Sequence, residues 1–281
     1  MQVIQKIQQL KIQLDEYRKA SKTIGFVPTM GALHEGHLSL VSESKKNTQI
    51  TVVSIFVNPT QFNDKADLER YPHTPVEDLD KLGCCGVDIV FMPSSEEMYP
   101  EPDTRIFDFG KLDKVLEGEH RPGHFNGVAQ IVSKFFAIVE PDKAYFGEKD
   151  FQQLAIIRQL VKKLNFSVQI IGCPIIREDD GLAMSSRNVL LSPVQRKNAA
   201  NISRILFESK QMAKNNSVET LRNWVISSIN ENADLITEYF EIVDDLNLLP
   251  ISSWDEPCKK VGCIAVKVGK IRLIDNIRYI L

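Results

Sequence analysis

The chain has 281 residues, 43% of them hydrophobic and 25% charged, with a formal net charge of −3. This length predicts one large or two modest domains, and the charge balance excludes an overall basic field for nucleic acid. The first twenty residues are amphipathic and interrupted by charge, unlike a secretory leader, and no apolar run is long enough to span a bilayer, so a cytoplasmic location is expected.

In chain order, Ile4, Ile7, Leu10, Leu14 and Tyr17 share one face of a helix predicted over 1–20. TIGFVP (23–28) reads as strand and HLSLVSESKK (37–46) as helix. ITVVSIFV (50–57) is almost continuously apolar, as a parallel strand covered on both faces should be. VEDLDKLGC (76–84) reads as helix and VDIVFMP (87–93) as strand, and the proline-rich stretch 93–105 as an exposed connection or lid. GVAQIVSKFFAIV (127–139) reads as helix, KAYFG (143–147) as strand, DFQQLAIIRQLVKKL (150–164) as helix and SVQIIGCP (167–174) as strand. The alternation predicts an α/β fold, a doubly wound (Rossmann-like) parallel sheet with ligands at the carboxyl ends of its strands.

The pattern changes after about Ile176. Two helices (192–213 and 217–231) precede antiparallel strands in EYFEIVD and CIAVKVGKIRLIDNI, with a turn near Val268-Gly269-Lys270. The expected division is therefore 1–176, the sheet domain, and 177–281, a smaller α+β domain. Cys84, Cys85, Cys173, Cys258 and Cys263 are odd in number and lack paired C-x-x-C spacing, so reduced and mostly buried thiols are expected.

The chemistry concentrates at strand-to-helix junctions. In PTMGALHEGH (28–37), Gly31 permits a tight turn and Gly36 leaves room beside the helix for a ligand. A helix starting near Glu35 to His37 would aim free N–H groups at the same spot, where His34 and His37 add donors suited to polyphosphate. The two histidines read alternatively as a cap and a surface residue, or as a zinc pair without obvious further ligands. YFGEKDFQQL (145–154) places Gly147, a phosphate-seeking Lys149 and a candidate cap, Asp150, at a second junction. Gln152 and Gln153 are adjacent and point differently, so one of them reaches the cleft. Met184-Ser185-Ser186-Arg187 is a hydroxyl loop with a guanidinium, able to grip a triphosphate. Asn58 and Gln61, beyond the second strand, are neutral donors and acceptors suited to a hydroxy acid, and Arg121 with His124 is a candidate carboxylate-binding pair.

PTMGALHEGH, FGEKDFQQ and MSSRN, in this order with NPTQF between the first two, resemble the pantothenate synthetase (pantoate–β-alanine ligase) family over about residues 20–192. H-x-G-H alone resembles a wider nucleotidyltransferase superfamily. The resemblance implies condensation of (R)-pantoate with β-alanine through a pantoyl adenylate, using ATP and Mg²⁺ and releasing AMP and pyrophosphate. It implies His37, Lys149 and Arg187 as catalytic residues. For ATP it implies Met30, Gly31, Ala32, Leu33, His34, Glu35, Gly36 and His37, then Gly147, Glu148, Lys149 and Asp150, and Ile176 with Met184, Ser185, Ser186 and Arg187. Gln61 and Gln153 are implied as substrate ligands, the 1–176 domain as holder of the nucleotide and pantoate sites, and 177–281 as a lid. Mg²⁺ would be held mainly by phosphates, with no protein ligand named, and the chain would be a cytoplasmic homodimer. Another small-acid adenylating nucleotidyltransferase would share the histidines without needing Gln61 and Gln153. A non-catalytic nucleotide-sensing module would not need the set of His37, Lys149 and Arg187.

Overall fold

The computed structural model describes residues 1–280. In chain order the first two-thirds run β1 (Gln2–Ile4), α1 (Ile7–Lys19), β2 (Ile24–Thr29), α2 (Glu35–Asn47), β3 (Ile50–Ile55), α3 (Lys65–Glu69), α4 (Pro75–Cys84) and β4 (Ile89–Phe91). They continue with α5 (Ser95–Met98), α6 (Glu117–His120), α7 (His124–Val139), β5 (Lys143–Gly147), α8 (Phe151–Leu164) and β6 (Gln169–Cys173). Every position of β3 is buried, which is what the apolar run requires of a strand covered on both faces.

The sheet is six-stranded and parallel, in the order β1-β4-β3-β2-β5-β6. From β2 the chain winds outward through β3 and β4, then returns to the other side of β2 as β5. That reversal opens a crevice beyond the carboxyl ends of β2 and β5, the place where doubly wound sheets accept ligands.

The remainder forms α9 (Pro193–Met212), α10 (Val218–Asn230) and an antiparallel sheet, β7 (Leu235–Asp244), β8 (Lys260–Val268) and β9 (Ile271–Tyr279), in that order. Ile202, Leu206, Leu221, Val225, Phe240 and Ile264 fill its own core. Val243, Leu248, Val261 and Cys263 pack instead with the core of the large sheet, so the two units share apolar surface. Polar contacts reinforce that seam. Arg272 meets the buried Glu117 carboxylate with two 2.7 Å bonds, and the Tyr239 hydroxyl donates to it at 2.7 Å.

Three expectations need correction. Residues 2–4 are strand rather than helix, because Val3 and Ile4 pair with Val90 and Phe91 at the sheet edge. The 93–105 stretch is anchored rather than freely exposed: Met98 is buried, Glu97 accepts the Ile7 N–H, and Asp103 pairs with Arg105. All five cysteines are free, but only Cys173 and Cys263 are buried. Among the described residues, no helix is long and apolar enough to cross a membrane.

Candidate active site

A cavity of about 210 Å³ occupies the crevice at the carboxyl ends of β2 and β5. Met30, His34, Gly36, His37, Gly147, Lys149, Asp150, Ile176 and Met184 to Arg187 line it, together with Gln61 and Gln153. Its floor is apolar, with Phe56, Val128, Val132 and Phe135 among the walls. Three chain segments far apart in sequence thus converge on one space.

The first segment is shaped by reciprocal bonds between side chains and backbone. The Gly36 N–H donates to His34 Nδ1 at 3.1 Å, and the His34 N–H donates to His37 Nδ1 at 3.3 Å. Each Nδ1 is therefore an acceptor, which puts each ring proton on Nε2. Burial drives the His34 pKa down to about 4, helped by the Lys149 charge, and drives His37 well below the ordinary imidazole value, helped by His34. Both rings enter the cavity as neutral Nε2–H donors. This differs from the expected use of the helix terminus. The Gly36 N–H is spent on His34, and the His37 and Leu38 N–H groups bond the His34 carbonyl. Gly36 lines the cavity, and its missing side chain also makes room for the histidine, since a Cβ there would meet the His34 ring at 2.8 Å.

Gly31, Ala32, Leu33, Glu35 and Glu148 do not line the cavity. Gly31 and Ala32 have φ of 81° and 48°, and that double turn rotates the Ala32 and Leu33 N–H groups onto the Asp78 carboxylate at 2.9 and 2.7 Å. Glu35 faces solvent, and the Glu148 carboxylate turns to Arg278 at 3.1 Å. Asp78 is 1% exposed and holds the whole first loop, a role that sequence reasoning missed. One signal was available: Asp78 precedes Leu82 by one helical turn on the buried face of α4, where a carboxylate needs a partner.

At the second junction, Asp150 sits at the N-cap of α8 without a capping bond from its side chain, which faces the cavity instead. Lys149 is half-buried and its pKa is lowered by burial against the opposing pull of Asp150. Among the described residues no carboxylate forms an ion pair with it, and the Asp67, Glu148 and Asp275 carboxylates are engaged by arginines. Gln153 faces the cavity, while Gln152 turns inward to the Glu117 N–H and the Leu112 and Val115 carbonyls.

In the third segment, the Ser186 hydroxyl donates to the Ala32 carbonyl at 3.0 Å. Arg187 pairs with Asp67 on α3 at 2.9 Å and lies over the Tyr71 ring, 5.6 Å from its centroid. Asn58 lines the cavity, but its amide nitrogen is committed to the Gly127 carbonyl and to Gln61. Arg121 and His124 do not form a carboxylate site in the main cavity. His124 Nδ1 donates to the Gln61 carbonyl at 2.8 Å and its Nε2 accepts from Arg121, so the pair braces the Gln61 turn. Gly127 on α7 lets that turn approach, because a Cβ there would overlap the Thr60 carbonyl.

Among the described residues no cluster of three or more His, Cys, Asp or Glu could hold an ion, and Asp150 is the sole carboxylate in the cavity lining.

Comparison with known proteins gives a consistent result. The family model for pantoate-beta-alanine ligase matches residues 2–278. The chain is 54% identical to the pantothenate synthetases of Bacteroides thetaiotaomicron and Porphyromonas gingivalis over 279 residues, 99% of both chains in each case. It superimposes on the crystal structure of pantothenate synthetase from Thermus thermophilus with a TM-score of 0.93 and 41% identity, each chain covered in full. A pantoate-beta-alanine ligase from Francisella tularensis, solved in complex with beta-gamma ATP and beta-alanine, gives a TM-score of 0.84 at 36% identity, with 99% of this chain and 97% of that one covered.

Proposed function

The chain belongs to the pantoate–β-alanine ligase family, and from that premise we propose how its own residues carry out the pantothenate-forming reaction. ATP is the co-substrate, pantoate the acid and β-alanine the amine. The pantoate carboxylate attacks the α-phosphorus, pyrophosphate leaves, and the amine then displaces AMP from the acyl adenylate. No covalent enzyme intermediate is needed, so positioning and charge stabilisation supply the catalysis.

The observation that carries this reading is the meeting of His34, His37, Lys149 and Arg187 with Gln61 and Gln153 around one cavity. Cationic and N–H donors suit the triphosphate, and His37 with Lys149 follows charge onto the leaving pyrophosphate. The neutral amides of Gln61 and Gln153 suit the hydroxyls and carboxylate of pantoate, beside an apolar floor for its methyl groups. Mg²⁺ bound with the nucleotide would be held mainly by the phosphates and would supply neutralisation of their charge.

The 1–176 unit holds both sites and 177–281 supplies the covering wall. At about 210 Å³ the cavity is smaller than the ~300–1,000 Å³ usual for ligand sites, so the nucleotide requires a wall to move. Glu117, Arg272 and Tyr239 fasten the small sheet at the seam. Movement therefore belongs first to α3, whose only ion pair among the described residues joins Asp67 to Arg187 on the opposing loop. The working form is a cytoplasmic homodimer assembled through the nucleotide-binding unit.

Release of AMP in the presence of pantoate and ATP, with β-alanine compared against other amines, tests the reading. Turnover with β-alanine, and pyrophosphate exchange that depends on pantoate, are expected. Exchange driven equally well by other small acids would favour a different adenylating enzyme.

A further inference from the structure

Among the described residues no carboxylate pairs with the Lys149 ammonium, so its place depends on its backbone, and that backbone is held from the other sheet. The buried Asn276, on β9, donates from Nδ2 to both the Glu148 carbonyl at 2.8 Å and the Lys149 carbonyl at 3.1 Å. Arg278, two residues on, meets the Glu148 carboxylate at 3.1 Å and lies over the Phe151 ring. The preceding residue, Asp275, is also buried and grips a second part of the cavity wall. Its carboxylate takes two bonds from Arg177, at 2.6 and 2.9 Å, and a third from the Asn276 N–H at 2.7 Å. Arg177 begins the hairpin that ends at the Ser185–Arg187 loop, with Arg177 bridged to Ala183 and the Met184 N–H bonded to the Ile176 carbonyl.

We propose that Asp275 and Asn276 form a yoke on β9 that sets the Lys149 turn and the Met184–Arg187 loop at a fixed separation, making both of them positioning residues for adenylation. This rests on the reading that Lys149 and Arg187 contact the phosphates. The geometry gives the yoke a specific logic. A side-chain amide donating to two consecutive carbonyls fixes the direction of the peptide that carries Lys149, and the neighbouring carboxylate transmits the same strand position to the loop opposite. Misplacing a catalytic group by about 1 Å can cost as much as 10²-fold in rate.

The test is a double-mutant cycle in the full chain, read by pantoate-dependent pyrophosphate exchange. Asn276→Ala is expected to lower the exchange kcat about 10- to 10²-fold, with pantoate affinity unchanged. In the Lys149→Ala background the same substitution should lose less than about twofold more, because coupled groups are not additive. Asp275→Asn cycled with Arg187→Ala should behave alike. Asn276→Ser, which keeps one hydroxyl donor, should fall between wild type and Asn276→Ala, and serves in the cycle should the alanine variant fail to fold. Equal losses in both backgrounds would reduce Asn276 to a structural residue and overturn the yoke. Unchanged exchange in Asn276→Ala would overturn it as well. Near-normal exchange in Lys149→Ala would instead remove the underlying reading, and the yoke with it.

Discussion

The rings of His34 and His37 stand 4.0 Å apart, centroid to centroid, each with its Nδ1 turned to a backbone N–H. Two imidazoles this close cannot both be protonated at low cost, and their bonds already require the neutral form. In the proposed mechanism His37 therefore acts as a fixed dipolar donor. His37→Ala should remain folded and lose about 10²–10³ in pantoate-dependent pyrophosphate exchange, the usual cost of one preorganised donor. His37→Gln, whose amide can offer a neutral N–H, should recover part of that loss. A glutamine variant as slow as alanine, with activity falling as pH rises through 6, would point to a cationic histidine.

The same burial has a consequence for stability. His34 titrates at about 4, His124 at about 3 and His37 well below its ordinary value, all held down chiefly by burial. The unfolded chain takes up protons near pH 6.5 while the folded chain does not, so stability should fall as pH drops from about 6.5 toward 4. Each such histidine contributes up to about 1.4 kcal/mol per pH unit in that window. His124→Asn preserves a donor for the Gln61 carbonyl and removes one titrating group. Urea midpoints measured from pH 7 to 4 should therefore fall less steeply in this variant. Equal slopes would mean that His124 is protonated in the folded chain.

Much of this was legible in the sequence because the strongest signals are local. The apolar run at 50–57 suits a covered strand, and glycines at strand ends announced the turns at 31–36 and 147. Residues from three motifs line one cavity, although Gly31, Ala32, Leu33, Glu35 and Glu148 do not. What could not be read were contacts made by ordinary residues across long separations. Asp78 bonds the 32–33 backbone from 45 residues away, Gly127 makes room for Thr60, and Asn276 reaches Lys149 across 127 residues. None of these carries a motif, and each acts through backbone groups, which any residue type possesses. Arg121 and His124 misled for the opposite reason. Their residue types suggest anion binding, but His124 bonds the Gln61 carbonyl while Arg121 bonds His124 and faces the Glu117 carboxylate at 3.6 Å.

Arg187 is engaged before any ligand arrives, through Nε and Nη2 to Asp67 and through its face to Tyr71. Two of its five N–H donors are used by the carboxylate, which leaves the others for phosphate oxygens. The planar fork matters here, and a lysine cannot reproduce it. Arg187→Ala should slow pyrophosphate exchange about 10²–10³-fold, and Arg187→Lys should restore little. In enzyme preloaded with pantoyl adenylate, Arg187→Ala should also raise hydrolysis relative to capture by β-alanine, because the loop no longer excludes water. Unchanged exchange together with unchanged partitioning would leave Arg187 as a structural ion pair.

Gln152 and Gln153 are neighbours with opposite fates, and that contrast gives a sharp separation of fold from function. Gln152 is buried and satisfies the Glu117 N–H and the Leu112 and Val115 carbonyls. Gln152→Ala strands these groups, at about 1–3 kcal/mol for an unsatisfied buried partner, so its melting temperature should drop. The catalytic groups themselves are untouched, and pantoate affinity measured below the melting transition should change little. Gln153 lines the cavity, and among the described residues its side chain makes no hydrogen bond. A hydrogen bond from it to the charged pantoate carboxylate is worth about 1.5–3 kcal/mol, or roughly ten- to 150-fold in affinity. Gln153→Ala should therefore melt like the wild type, bind ATP alone with unchanged affinity, and lose pantoate binding by that factor in calorimetric titration. Loss of ATP affinity with pantoate affinity intact would reassign Gln153 to the nucleotide.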